Sequence, residues 1–153
     1  MRLEQDLREF VELLNSRNVE YIVVGAHALA FHGHPRYTGD LDLLVRPSLE
    51  NARRVVEVLA AFGFGSFGLS EGDFAEQDRI VQLGYPPNRI DLLTSISGVT
   101  FDEAWQTREP STLDGIPVSF IGRQAFVRNK TASGRLKDAA DVEALGESTA
   151  DRE

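Results

Sequence analysis

The sequence predicts a mixed α/β (α+β) fold, a β-sheet flanked by helices on one side. Three observations predict it. An apolar strand pattern, a glycine and a helical pattern follow one another from residue 21 to 33. A second apolar run, "GDLDLLV", comes next and carries two carboxylates. Two pairs of short apolar runs, each joined by turn residues, fill the second half of the chain. A strand–helix–strand start followed by hairpins points to a mixed sheet rather than a bundle or a barrel.

The elements follow in order. Residues 3–16 place Leu3, Leu7, Phe10, Val11 and Leu14 at helical spacing. "VEYIVVG" reads as a strand ended by Gly25, and "AHALAFHG" as a short helix stopped at Gly33 with Pro35 beyond. "GDLDLLV" is the next strand. "SLENARRVVEVLAAFG" is a helix with Ser48 as its N-cap and Gly63 as its stop. Residues 64–74, rich in glycine and serine, carry no periodic signal. "DRIVQLGY" and "NRIDLLTS" form a hairpin around Pro86 and Pro87. A short helix covers 101–106. "STLDGIPVSF" is a second hairpin with an Asp-Gly turn. Two helices, 123–130 and 137–145, close the chain, and "GESTADRE" is a frayed end. One domain is expected over residues 1–146, with a tail over 147–153.

Composition bounds the function. The 153 residues are 42% hydrophobic, which is globular rather than disordered. No apolar stretch approaches the roughly 20 residues that span a bilayer, so no membrane partner is expected. There is no cysteine, so disulfides and thiolate metal sites are excluded. A cytoplasmic location is the simplest expectation. The net charge of −8 argues against a broad DNA-binding surface. One segment departs from that balance. "GRQAFVRNKTASGRLK" holds Arg123, Arg128, Lys130, Arg135 and Lys137 and no acid. Such an island suits a compact anion such as a phosphate, or is a solvated helix end with a basic loop.

The two carboxylates are the sharpest signal. Side chains alternate along a strand, so Asp40 and Asp42 share a face, roughly 7 Å apart. Leu41, Leu43 and Val45 then face the core. Two like charges this close repel, and a divalent cation between them reverses the penalty. Hard oxygen ligands suit Mg²⁺. Asp91, which interrupts the apolar run "RIDLL", is the candidate for a third carboxylate in a phosphoryl-transfer site. Without a partner acid, the pair is an ordinary exposed strand face. Backbone N–H groups near Gly25–His27 could hold a phosphate, the glycine permitting close approach.

"VVGAHALAFHG", "RYTGDLDLLV", "RIDLL" and "NKTASGRLKDAADVEAL", in this order, resemble the nucleotidyltransferase superfamily that includes DNA polymerase β. More narrowly they are similar to small bacterial nucleotidyltransferase-like proteins related to the AbiEii toxins and the minimal nucleotidyltransferases. The resemblance covers residues 23–145. It implies a nucleotidyltransferase-like sheet flanked by helices. It also implies transfer of a nucleotidyl group from an NTP to a hydroxyl, with Mg²⁺ (or Mn²⁺) as cofactor. It assigns the glycine motif to Gly25 and Ala26, and the metal-binding, catalytic carboxylates to Asp40, Asp42 and Asp91. The family usually has Gly-Gly or Gly-Ser where this chain has Gly-Ala. Alanine keeps the backbone N–H and supplies no hydroxyl.

The remaining candidates surround this core. His27, His32 and His34 cluster in sequence, but His27 and His32 are five apart, which fits one helix face poorly for zinc. A phosphate or base contact suits His27 better. Arg36 and Thr38 either reach the triphosphate or form the turn. Lys130 and Lys137 match the tail motif and would neutralise β- and γ-phosphates; alternatively Lys137 pairs with Asp141 along the helix. Trp105 and Phe101 read as core residues rather than base-stacking platforms. The acceptor is an RNA end such as that of a tRNA, a protein or a small molecule. A second reading keeps the fold without catalysis: a nucleotide- or partner-binding module, such as the antitoxin of a toxin–antitoxin pair, with a partner protein.

Overall fold

The computed structural model describes residues 4–34, 39–63, 68–84 and 88–145, with the side chains of 136–138 and 144 outside that description. Arg36, Thr38 and the tail therefore lie outside the described residues, and so does the side chain of Lys137. Among the described residues there are six strands and seven helices. They run α1 (Gln5–Ser16), β1 (Tyr21–Val24), α2 (Gly25–Phe31), β2 (Leu41–Val45), α3 (Leu49–Ala61), α4 (Gly72–Ala75) and β3 (Ile80–Leu83). Then come β4 (Ile90–Leu93), α5 (Phe101–Gln106), β5 (Glu109–Leu113), β6 (Ile116–Phe120), α6 (Arg123–Ser133) and α7 (Leu136–Ala144). No described helix is long and apolar enough to cross a membrane.

The strands form one mixed sheet in the order β3-β4-β2-β1-β6-β5. β1 runs antiparallel to β2 and parallel to β6, while β2 runs parallel to β4. The two expected hairpins are the two ends of the sheet, β3–β4 and β5–β6. The second turns through Asp114 and Gly115, both at positive φ, the backbone a two-residue Asp-Gly turn needs.

The sandwich expected from the sequence, with helices on one side, is corrected by the burial of the central strands. Ile22 and Val23 on β1, and Leu43 and Leu44 on β2, are all wholly buried. Neighbours along a strand point to opposite faces, so both faces of the sheet centre are covered. One buried cluster runs from Leu7 to Leu145 and takes in Phe10, Leu14, Phe74 and Phe126.

Two local devices fix the ends of β1 and β2. The Ser48 hydroxyl caps α3 by accepting from the Asn51 amide. The buried Asn51 side chain then ties the loops together. Its Oδ1 accepts from the Glu20 amide at 2.8 Å. Its Nδ2 donates to the carbonyls of Glu20, at 3.0 Å, and Arg46, at 3.1 Å. Glu20 precedes β1 and Arg46 follows β2, so one amide side chain pins the register at the end of the pair away from Asp42.

The 64–74 stretch ends in α4, a single turn that buries Phe74 against the core. Phe101 is buried and stacks on Trp105, with the Arg46 and Arg108 guanidinium groups over the rings. These rings are committed to packing.

Candidate active site

The site is assembled by strand register. In the parallel β2–β4 pair, Asp42 stands opposite Asp91. Residues paired across a ladder point to the same face, so the two carboxylates lie side by side. Asp40 sits just before β2, where the Leu41 amide donates to the Arg89 carbonyl at 2.8 Å and carries the pairing back to that point.

On the other side of β2, Val24 is the partner of Asp42, and the chain leaves β1 there for α2. Gly25 has φ +70, and a Cβ at this position would lie 2.1 Å from Asp42 Oδ2. Glycine is required twice over, by its conformation and by the carboxylate pressed against its backbone.

Asp42 is squeezed by this arrangement. Its pKa is pushed up to about 7. Burial is the first cause, then a hydrogen bond with the Asp91 carboxyl, then the negative charges of Asp91 and Asp40; Lys130 acts in the opposite direction. Asp42 thus tends to keep its proton up to near-neutral pH, with the Asp91 carboxyl beside it.

Arg89 is the residue that sequence reasoning missed. Its Nε donates to Asp91 Oδ1 at 2.8 Å and its Nη2 to Asp91 Oδ2 at 3.1 Å, a two-pronged pairing. The same Nη2 lies 3.5 Å from Asp40 Oδ2. The signal was present: Arg89 stands two residues before Asp91, the spacing that puts both on one face.

These side chains line a cleft of about 900 Å³ together with Gly25 and Ala26. The opposite wall comes from the segment after β4, from α6 and from the turn that follows it, with Ser97, Asn129, Lys130 and Arg135. Asn129 Nδ2 donates to the Ser97 carbonyl at 2.9 Å and joins the two. Gly98 has φ +77, and a Cβ there would be 2.6 Å from Ala132 Cβ and 3.0 Å from the Arg128 carbonyl, so α6 lies directly on this loop. Asn129 carried no distinctive sequence signal.

The structure brings Gly25, Ala26, Asp40, Asp42, Asp91 and Lys130 to one cleft. It does not bring His27 there. That ring is 2% exposed, and burial lowers its pKa against the opposing influence of Asp40. The Asp40 backbone is near enough to favour the protonated ring, yet neither ring nitrogen has a partner in hydrogen-bond geometry. In place of the expected phosphate or base contact, His27 is buried in α2 along with Ala28 and Leu29. His32 bonds the Ile121 carbonyl at 2.7 Å.

The residues fit a divalent cation in their chemistry: adjacent hard-oxygen donors whose negative charges repel one another. The fit is to a pair rather than a cage. Among the described residues no three potential ligands are gathered as a metal-binding set. Asp42 and Asp91 form a cross-strand pair, and Asp40 is linked to Asp91 through the guanidinium of Arg89.

No family model matches the sequence, and no curated protein matches it. Solved structures do. TM1012 of Thermotoga maritima, a candidate nucleotidyltransferase, is 14% identical with a TM-score of 0.59, covering 90% of this chain and 88% of that one. The antibiotic-resistance factor ANT(2'')-Ia is 12% identical with a TM-score of 0.59, covering 92% and 80%. The lincosamide antibiotic adenylyltransferase LnuA, in its lincomycin-bound form, is 10% identical with a TM-score of 0.55, covering 95% and 98%. The likeness is one of fold. The chain has a nucleotidyltransferase-like fold, shared with adenylyltransferase enzymes.

Proposed function

We propose that this chain transfers a nucleotidyl group from an NTP to a hydroxyl acceptor, with Mg²⁺ or Mn²⁺ at the acid cluster of Asp40, Asp42 and Asp91. The observation that carries the reading is the in-register pairing of Asp42 with Asp91, against the backbone of Gly25 and across a cleft from Lys130. A bound divalent cation would lower the pKa of the attacking hydroxyl and stabilise charge on the leaving pyrophosphate.

The chain's own residues do the rest. The carboxylates of Asp42 and Asp91 concentrate negative charge where a cation is wanted and set the side of the sheet on which it binds. Gly25 and Ala26 offer backbone rather than side chain to the phosphates. Lys130 and Arg135, on the facing wall, supply positive charge to the triphosphate. Arg36, Thr38 and Lys137 belong to the same proposal as further phosphate contacts. His27 takes the part of a packed support beneath Asp40 instead of a ligand contact. The cleft volume suits a nucleotide with a small acceptor beside it, in the range of ordinary small-molecule sites. An exposed RNA end or a protein side chain is the other acceptor class.

One observation favours a second reading. Arg89 already neutralises part of the acid cluster, as a nucleotide-binding or partner-binding module without catalysis would tolerate. The test is α-phosphate transfer from each labelled NTP, with Mg²⁺ or Mn²⁺, to bulk RNA, protein or small molecules of a cell extract. Label on an acceptor, lost in Asp42→Asn, supports the transferase. NTP binding without label on any acceptor supports the binding module. Equal transfer by Asp42→Asn removes the acid cluster from the chemistry.

A further inference from the structure

We propose that Arg89 takes the place of one cation of a two-ion site, so that the acid cluster takes up a single divalent cation per chain. This rests on the reading of the cluster as a cation and nucleotide site.

Both carboxylate oxygens of Asp91 are engaged by one guanidinium, Oδ1 by Nε at 2.8 Å and Oδ2 by Nη2 at 3.1 Å. A planar fork matched to a carboxylate in this way is the most specific pairing arginine makes. The same Nη2 stands 3.5 Å from Asp40 Oδ2, so the guanidinium lies between two of the three acids. A cation bridging those acids would need that position.

The pairing is held from both sides. The Arg89 carbonyl accepts from the Leu41 amide at 2.8 Å, which fixes the Arg89 backbone against the start of β2. Asp91 is fixed within β4, with Asp42 on one side and Gln82 on the other. The side chains of Arg89 and Asp91 are 27% and 11% exposed, so water screens them less than an ordinary surface pair. A lysine could supply the charge but not the fork.

Two ions would therefore meet a competitor. The first can settle against Asp42 and Asp40 with Arg89 in place. The second must strip both Asp91 oxygens from Arg89 and then stand beside the displaced guanidinium, with the charge of Lys130 acting from the facing wall of the cleft. Arg89 is on this account a positioning residue. It holds Asp91 at the geometry Asp42 needs and sets the number of ions.

The experiment counts metal. Mn²⁺ is titrated into the full chain in the presence of a saturating, non-hydrolysable α,β-methylene NTP, with free Mn²⁺ read by electron paramagnetic resonance. Wild type is expected to hold one Mn²⁺ per chain. Arg89→Gln is expected to hold two, the second at least tenfold tighter than any second ion of wild type. Arg89→Lys, which keeps the charge and loses the fork, serves if the glutamine variant does not fold, and it is expected to admit the second ion too. Two tight ions in wild type would overturn the proposal and leave the nucleotide site standing. One ion in the folded variants would equally overturn it, since Arg89 would not set the count. Failure of wild type to bind either Mn²⁺ or the nucleotide analogue would instead overturn the site reading, and this proposal with it.

Discussion

Asp42 shows how one side chain can carry both the function and the strain of a site. Its folded pKa, about 7, stands above the unfolded carboxylate value of about 4. The folded chain thus binds this proton more tightly than the unfolded chain. The stability from that proton is fully present below about pH 4 and is lost as pH rises through 7. With metal removed by a chelator, urea denaturation should show stability falling over that window by about 1–3 kcal/mol more in wild type than in Asp42→Asn. The asparagine variant should also melt higher at pH 8 without metal, because one buried charge and its repulsion from Asp91 are gone. Parallel pH profiles for the two proteins would mean that Asp42 is solvated and ionised throughout. Gly25 bears the other side of the same contact. Gly25→Ala forces a non-glycine residue to φ +70 and drives its methyl into the Asp42 carboxylate. The conformation alone costs about 1–2 kcal/mol. Denaturation should show at least that loss, and NTP titration a weakened site, because Asp42 is the group that must move.

At the scale of elements, the register of β2 is the quantity that matters. A slip of one residue would turn Asp42 into the core and Leu41 or Leu43 into the cleft. Asn51 guards against it from the far end of the pair. Asn51→Ala leaves the Glu20 amide and two carbonyls without their partner, and should destabilise the chain by about 2–4 kcal/mol. Asn51 lies outside the cleft, so transfer per folded molecule should be unchanged; a stability loss under about 0.5 kcal/mol would show that water replaces its bonds. The parts of this arrangement that the sequence announced are those governed by periodicity. Asp40, Asp42 and Asp91 were legible because a charge in an apolar alternation has one face to occupy, and Gly25 because a strand-to-helix corner needs it. The β5–β6 turn was legible from Asp114 and Gly115. What periodicity does not encode was not legible. The spacing of Arg89 gives it the face of Asp91, but its role rests on a side-chain rotamer that reaches forward along β4, which spacing does not encode. α4 is one turn long and has no repeat to detect. β5 begins at Glu109, two residues before the run that marked it, because its exposed face is polar. The burial of His27 follows from tertiary packing against α2, which a short helix does not specify alone.

At the scale of the molecule, the site depends on two distant parts of the chain meeting. The carboxylates belong to the sheet or its edge, and the cations facing them belong to α6 and the turn after it, α6 being held on the loop after β4 by Asn129 and by the tight contact at Gly98. The net charge of −8 repels a polyphosphate at long range, so capture of an NTP falls to these few local cations. Lys130 is the clearest of them. It lines the cleft, its ammonium lies 5.4 Å from the Phe126 ring centroid, and its charge is felt at Asp42. Lys130→Ala should leave the fold intact and weaken NTP binding by about 1–3 kcal/mol, the range for a charge-assisted hydrogen bond. The loss should be smaller for the NMP, which lacks the β- and γ-phosphates. Gly98→Val should act differently, since it separates α6 from the loop: stability and the affinities for NTP and NMP should fall together. Calorimetric titration of the three proteins with both nucleotides separates a lost contact from a lost wall. Equal NTP affinity in wild type and Lys130→Ala would mean that the positive island serves a partner other than the triphosphate, and the binding-module reading would gain accordingly.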